Sequence, residues 1–351
     1  MRQRIIIALD AMGGDHAPGS VLQGANLAIE RFPEVDFILF GIENELRPHL
    51  ALLPKLASRS SITHTNEVVS GDAKPSQALR SGRRSSMRLA IDAVAEGRAD
   101  CVVSGGNTGA LMAMAKMALR MLPGIDRPAM ASSFPTMRGE SVMLDLGANV
   151  ECDAENLVQF ALMGDVFART VLGRTRPLIG LLNIGSEELK GNDAVRGASA
   201  RLQQPGFPLH FHGFVEGTDI TAGTVDVIVT DGFTGNVALK TAEGTVELMT
   251  EFTRAAFRYS LLARIGYLFS KGALAKLRER LDPRAYNGAV FLGLDGIAVK
   301  SHGSADAVGF ANAIGVAVDM KINGFLEKMR QGIAALASSG SLMEKPQSAS
   351  L

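Results

Sequence analysis

Cysteine is nearly absent: the 351 residues hold two, Cys101 and Cys152, with no C-x-x-C spacing. Cys101 lies in an apolar strand, where a free thiol behaves as a small hydrophobe, and the pair fits a reducing compartment. Net charge is absent too, with 36 Lys and Arg against 36 Asp and Glu, which excludes the basic balance of a protein whose main partner is nucleic acid. No apolar run approaches membrane-spanning length. No signal peptide is expected, because Met1-Arg2-Gln3-Arg4 leads straight into a strand. The sequence therefore predicts a cytoplasmic protein, soluble or attached at a membrane surface. Three fingerprints are also missing. The first glycine loop lacks the G-x-G-x-x-G of nicotinamide sites. There is no G-x-S-x-G elbow for covalent serine catalysis and no G-x-x-x-x-G-K-[ST] loop for ordinary nucleotide hydrolysis.

What is present is an apolar chain, 46% hydrophobic, long enough for a sizeable core in one α/β unit or two lobes. Its organising stretch is Asp100-Cys101-Val102-Val103-Ser104-Gly105-Gly106-Asn107-Thr108-Gly109-Ala110. It reads as a buried strand, a glycine turn and a helix opening at Thr108. Glycine lets the backbone approach a bound group closely, and a helix start offers unpaired N–H groups at its positive end. Together these make a seat for an anion. The phrase returns in register as Asp226-Val227-Ile228-Val229-Thr230-Asp231-Gly232-Phe233-Thr234-Gly235-Asn236, predicting two related strand–turn–helix units whose turns face one cleft.

Strands alternating with helices along the chain predict a mostly parallel sheet covered on both faces. In such sheets ligands bind beyond the carboxyl ends of the strands, and the polar loops fall there. Ile5 to Leu9 empties into Asp10-Ala11-Met12-Gly13-Gly14-Asp15-His16-Ala17-Pro18, whose Asp10, Asp15 and His16 are potential metal ligands. Val69 to Arg84 reads as a polar loop with Lys74, Arg80, Arg83 and Arg84. Ala129 to Phe134 and Ser141 to Asp145 read as a strand pair, followed by the loop Asp145 to Asn149. Leu178 to Leu182 leads into Asn183 to Asn192, which contains Lys190. The strand His210 to Phe214 places His210 and His212 on one face, a second weak metal pattern with Glu216. Closing strands Ala289 to Leu292 and Ile297 to Lys300 precede Ser301-His302-Gly303-Ser304, and one long helix is expected to about Ala337.

Arg254 to Arg284 differs in character. It holds Arg254, Arg258, Arg264, Lys271, Lys276, Arg278, Arg280 and Arg284 against Glu279 and Asp282. Leu261, Leu262, Ile265, Leu268 and Phe269 recur at near-helical spacing within it. A basic amphipathic helix of this kind suits an anionic membrane surface.

The loops Asp10–Pro18, Ser104–Ala110, Asp145–Asn149, Asn183–Asn192, Asp231–Lys240 and His302–Ser304, in that order to about residue 335, resemble the bacterial phosphate acyltransferases of the PlsX type. Ala305 departs from that pattern, standing where a second serine is expected. The resemblance implies a Rossmann-like three-layer α/β/α sandwich similar to phosphotransacetylases and isopropylmalate-type dehydrogenases. Residues 1–337 would form a single catalytic domain of two lobes around a cleft, with basic helices at about 254–284 and a disordered tail over 338–351. The implied reaction moves a long-chain acyl group from acyl carrier protein to inorganic phosphate for phospholipid synthesis. No cofactor or metal is required; phosphate is the co-substrate and magnesium is not expected. Lys190, Asn236 and His302 take the catalytic roles. Asp10, Gly13, Gly14, Ser104, Gly105, Gly106, Asn107, Thr108, Gly109, Asn149, Asn183, Asp231, Gly232 and Gly235 line the substrate. The implied partners are a second copy in a homodimer, acyl carrier protein, a membrane glycerol-3-phosphate acyltransferase of the PlsY type, and the anionic cytoplasmic membrane, met peripherally through Leu261 to Phe269. Three other readings stay open: a coenzyme A-dependent phosphate acetyl- or butyryltransferase, a decarboxylating dehydrogenase on a related fold, and a non-catalytic membrane-surface scaffold.

Overall fold

The computed structural model describes residues 4–338; the tail expected beyond Ser338 lies outside the described residues. The strands are β1 (Ile5–Asp10), β2 (Val35–Gly41), β3 (Ser60–His64), β4 (Cys101–Ser104), β5 (Ala129–Thr136), β6 (Gly139–Leu144), β7 (Leu178–Leu182), β8 (His210–Val215), β9 (Val227–Val229), β10 (Ala289–Leu292) and β11 (Ile297–Lys300). They form one 11-stranded sheet in the order β3-β2-β1-β4-β11-β10-β5-β6-β9-β7-β8. β1, β2, β3, β4 and β11 run parallel, as do β6, β9, β7 and β8. Between these sets β10 is antiparallel to β11 and to β5, and β5 is antiparallel to β6. The second set therefore runs opposite to the first. The carboxyl ends of the two sets therefore lie on opposite edges of the sheet, one for each half.

The repeated phrase marks equivalent positions in both halves. Asp100 N–H donates to Ile6 O at 2.7 Å, and its carboxylate accepts from Ile6 N–H at 2.8 Å. Asp226 makes the same pair with Leu178, at 2.8 and 2.9 Å. Each aspartate thus locks the start of its strand to the neighbouring strand.

Side chains alternate between the two faces of the sheet. Ile7, Leu9, Cys101, Val103, Val142, Leu144, Val227 and Val229 share one continuous core with the helices Gly19–Arg31, Ala154–Val171, Asp193–Leu202, Ala307–Ile322 and Phe325–Ser338. Ala154–Val171 is apolar nearly all round because it is covered all round, and Asp153 caps it with Asn156 in a reciprocal capping box. The other face carries two separate cores. One joins Ala8, Val102 and Phe291 to the helices Pro75–Ser81, Ser86–Ala95 and Thr108–Leu119. The other joins Met143, Leu182 and Ile228 to Gly217–Ala222 and the start of Gly232–Arg258. Half-buried Met130 packs against both. The result is the expected three-layer α/β/α sandwich.

Local corrections have local causes. The Val69–Arg84 stretch contains the helix Pro75–Ser81, opened by Pro75 at its first position. The terminal long helix breaks after Ile322 and restarts at Phe325, with Gly324 at φ +65°. The basic helices expected at about 254–284 form as the end of Gly232–Arg258 and the whole of Leu261–Arg280, divided where Ser260 Oγ accepts from Ala263 N–H at 3.1 Å and starts a new helix. Phe257 and Tyr267 meet edge-on at 5.5 Å across this hairpin. No residue of Leu261–Arg280 is buried. Among the described residues, no helix is long and apolar enough to cross a membrane.

The second half depends on one close approach. A Cβ placed on Gly235 would lie 1.9 Å from Asp145 O, so only glycine lets the Gly232–Arg258 helix dock on the Asp145 loop. Gly235→Ala is expected to lower stability by about 2–3 kcal/mol, read as a lower urea midpoint with an unchanged slope.

Candidate active site

Two loop clusters stand at the ends of the two strand sets. The first is built on Asp10, the last residue of β1. Its carboxylate is 1% exposed and accepts from Ser86 Oγ at 2.6 Å and Ser104 Oγ at 2.7 Å. Burial pushes the Asp10 carboxyl up from its ordinary value, while these hydroxyls pull it down. Ser104 Oγ in turn accepts from Gly106 N–H at 3.0 Å. The two loops touch through backbone: a Cβ on Gly13 would lie 2.8 Å from Gly106 N, and one on Gly105 would lie 2.7 Å from Gly13 O. The His302 loop closes the third side, where Asp15 N–H donates to Gly303 O at 2.8 Å.

Beneath the turn lies Lys300, the last residue of β11, only 8% exposed. Its ammonium donates to Gly105 O at 3.3 Å and to Ser301 O. Among the described residues it has no carboxylate within ion-pair distance. Burial pulls its pKa down to about 8, against the attraction of Asp10 and Asp15. Burial also lowers His302, helped by the positive charge of Lys240. Ser304 N–H donates to His302 Nδ1 at 3.3 Å, which leaves the proton of the neutral ring on Nε2. Among the described residues, the N–H groups of Gly105, Asn107 and Thr108 have no protein acceptor. Open donors above a buried ammonium suit a small oxyanion.

The second cluster is built on Asp145, fully buried at the end of β6. It accepts from the N–H groups of Met130, Gly147, Ala148 and Asn149, at 2.7 to 3.1 Å, and from Asn149 Nδ2 at 2.8 Å. Burial pushes its pKa up against these donors. Here the turn is closed. Gly232 N–H donates to Asn149 O at 2.7 Å, Gly235 N–H to Asp231 O at 2.9 Å, and Thr234 N–H to Asp231 Oδ1 at 2.8 Å. The anion seat expected at Gly232–Asn236 thus has its donors at Gly232, Thr234 and Gly235 already committed to protein acceptors. The two turns share a sequence and differ in what fills them.

The structure gathers Asp10, Gly13, Gly14, Ser104, Gly105, Gly106 and His302 at the first cluster. Asn107 caps its helix, accepting from Ala110 N–H at 2.8 Å, and its amide ties down Gly71 O at 2.7 Å. Thr108 and Gly109 form the first turn of that helix. Asn149, Asp231, Gly232, Gly235 and Asn236 belong to the second cluster. There Asn149 and Asp231 anchor the loop, and Asn236 stands beside Gly147, its Cγ 3.7 Å from the Cβ position of that glycine. Asn183 closes its own loop by donating to Lys190 O at 3.1 Å, and Lys190 is exposed on that loop. One element links the clusters. Lys240, one helical turn beyond Asn236, lies within electrostatic range of both His302 and Lys300. Of the two metal patterns, Asp15, His16 and His212 are exposed, and His210 Nδ1 is buried without a hydrogen-bond partner. Asp10 is committed to two serines, and no cluster of three potential ligands occurs among the described residues.

Sequence reasoning missed Lys300, Ser86 and Lys240 as site residues. Lys300 carried one signal, a lysine ending an apolar strand directly before Ser301-His302. Of the two serines that open the Ser86–Ala95 helix, Ser85 caps it, which frees Ser86 for Asp10.

Fold and site together define an α/β protein of the phosphotransacetylase type of fold with a seat for an oxyanion. A phosphotransacetylase from Streptococcus pyogenes superposes with a TM-score of 0.63 at 18% identity, over 92% of this chain and 95% of that one. The EutD phosphotransacetylase from Staphylococcus aureus gives 0.57 at 16% identity, over 91% and 94%. A model of the family described as fatty acid synthesis protein matches residues 5–328, and the chain belongs to that family, the PlsX family. It is 65% identical over 336 residues to a phosphate acyltransferase of Rhodospirillum centenum, covering 96% of this chain and 95% of the relative. It is 61% identical over 334 residues to one of Rhodospirillum rubrum, covering 95% and 96%.

Replacing the buried acid disturbs the whole first cluster. Asp10→Asn removes a charged acceptor from two hydroxyls and is expected to cost about 1–3 kcal/mol. Thermal denaturation measures that loss, and the same variant should bind phosphate more weakly in a titration.

Proposed function

We propose that this chain is an acyltransferase of phospholipid biosynthesis that moves a long-chain fatty acyl group from acyl carrier protein to inorganic phosphate, forming acyl phosphate. Family membership supports acyl transfer to phosphate. The open N–H groups of Gly105, Asn107 and Thr108 above Lys300 carry the choice of site.

Inorganic phosphate carries an abundant dianion near neutral pH, and that dianion needs no base to make it a nucleophile. One phosphate oxygen attacks the thioester carbonyl. The carbonyl oxygen becomes an oxyanion, for which His302 Nε2–H and the Asn236 amide are the proposed donors. Collapse breaks the C–S bond and leaves acyl phosphate and a thiolate. With a thiol pKa of about 8.5, that thiolate takes its proton from water. Lys300 and the first turn hold the phosphate, with Lys190 reaching in from the 183–192 loop. The reaction as written uses no cofactor.

The remaining assignments belong to the same reading. The exposed apolar residues Leu261, Leu262, Ile265, Leu268 and Phe269 meet an anionic cytoplasmic membrane, beside the basic residues of the hairpin. The chain works as a homodimer and hands acyl phosphate to a membrane glycerol-3-phosphate acyltransferase.

The deciding assay mixes protein, palmitoyl-acyl carrier protein and phosphate, with and without magnesium. Free thiol and acyl phosphate are expected in equal amounts and only with phosphate. Reaction with palmitoyl-coenzyme A alone would change the donor; no reaction with either would overturn the reading.

The pH profile tests the anchor. In the free enzyme Lys300 is charged below its pKa of about 8 and neutral above it. The kcat/KM for phosphate, which reports the free enzyme, should therefore fall as pH rises through about 8. Lys300→Arg should flatten that limb, because guanidinium stays charged. Lys300→Met should raise the phosphate KM by roughly tenfold or more at pH 7, the loss of a charged hydrogen bond. Lys190→Ala should raise it too, and normal kinetics in either variant removes that residue from the anchor.

Membrane contact has its own readout. Leu268→Glu with Phe269→Glu should reduce cosedimentation with phosphatidylglycerol vesicles about tenfold or more. The melting temperature should not move, because both side chains stand in solvent.

A further inference from the structure

Large apolar side chains stand in solvent around the second cluster. They are Val150, Ile184, Leu189, Phe233 and Val237, from 50% exposed at Val237 to 91% at Leu189. They come from the segments that follow β6, β7 and β9, three adjacent strands of one direction. The Gly232 N–H to Asn149 O bond of 2.7 Å brings Val150 alongside Phe233. Phe233 and Val237 are one turn apart and form a row along the Gly232–Arg258 helix. This row does not pack the core. The helix docks through buried Gly235 and through Ala238, Leu239 and Ala242, on its opposite side. The row beside it is Asn236 and Lys240, and Lys240 lies within electrostatic range of His302 and Lys300. One helix therefore carries an apolar row and a polar row side by side, and the charge of the polar row's Lys240 is felt at the first cluster.

We infer that this apolar mouth seats the acyl chain of the donor, with the Phe233–Val237 row against the methylenes and the Asn236–Lys240 row toward the thioester carbonyl. The inference rests on the acyl-transfer reading, which requires a place for a long chain next to the reacting carbonyl. A hydrocarbon chain gains by leaving water in proportion to its buried length, so a seat of exposed branched and aromatic groups discriminates by chain length. The apolar face of the 261–269 helix has no corresponding polar row leading to His302.

The chain has no tryptophan, so Phe233→Trp introduces a single indole reporter. Its emission should shift to the blue on adding a palmitoyl thioester without phosphate, and should stay unchanged with an acetyl thioester. Phe252→Trp, on the outer part of the same helix, should not respond. In turnover, Phe233→Ala with Val237→Ala should raise the KM for a palmitoyl donor at least tenfold more than for an octanoyl donor. No palmitoyl-dependent shift, or an equal shift with acetyl thioester, overturns the seat. Emission already blue without donor, moving to the red on dilution, assigns the patch to contact between two copies and overturns it as well. The two readings fail separately. Acyl phosphate formed by the unmodified enzyme without a shift in the reporter sinks the seat alone. A chain-dependent shift in a protein that makes no acyl phosphate sinks acyl transfer and leaves the seat.

Discussion

A buried acid at the end of a strand governs each half of this molecule, and the way that acid is satisfied decides what its neighbouring turn can do. Burying a carboxylate without partners is costly, so donors must be supplied. At Asp10 they are the hydroxyls of Ser86 and Ser104, brought from a helix and a strand. In the adjoining turn Gly106 N–H goes to Ser104 Oγ, while the N–H groups of Gly105, Asn107 and Thr108 have no acceptor among the described residues. At Asp145 the donors are the backbone N–H groups of its own loop, and that loop closes onto the Gly232 helix. Two turns of similar sequence thereby acquire different capacities. One keeps N–H groups without protein acceptors, and the other has Gly232 N–H bound to Asn149 O.

The repeat Asp100–Ala110 and Asp226–Asn236 was legible in the sequence because its strand, turn and cap are local. Both copies form, and Asn107 and Asp231 both cap their helices. The fate of the N–H groups was not legible, since it depends on whether a distant residue, Asp10 or Asn149, offers a hydroxyl-satisfied acid or a carbonyl. Lys300 escaped for a related reason. A lysine at the end of an apolar strand resembles one that reaches solvent, and only the overlying Gly105 turn and the His302 loop bury it. The second set of strands is reversed by the β5–β6 hairpin, a strand pair that the sequence does show. The direction of β10 was hidden: Val-Phe-Leu has the same pattern whether its neighbours run with it or against it, and its register and direction come from pairing with β5 and β11.

The hairpin shows the opposite case, where sequence pattern and structure agree on the helical and amphipathic character of a segment. Basic and apolar residues over 254–284 predicted an amphipathic surface. Ser260 divides that surface into two helices held together by Phe257 and Tyr267. Because no residue of the second helix is buried, its sequence is under no constraint from the core. Its Leu261, Leu262, Ile265, Leu268 and Phe269 stand in solvent, while Tyr267 packs on Phe257.

The asymmetry of the core has a mechanical consequence. On one face of the sheet a continuous apolar layer crosses from the first half to the second, while on the other face two layers meet at Met130. Relative movement of the halves is therefore stiff on the continuous side and soft on the divided side, like a book bound along one cover. Helix Gly232–Arg258 lies on the divided side. A change confined to that helix therefore touches the smaller core around Met143 and Ile228 and leaves the continuous layer packed.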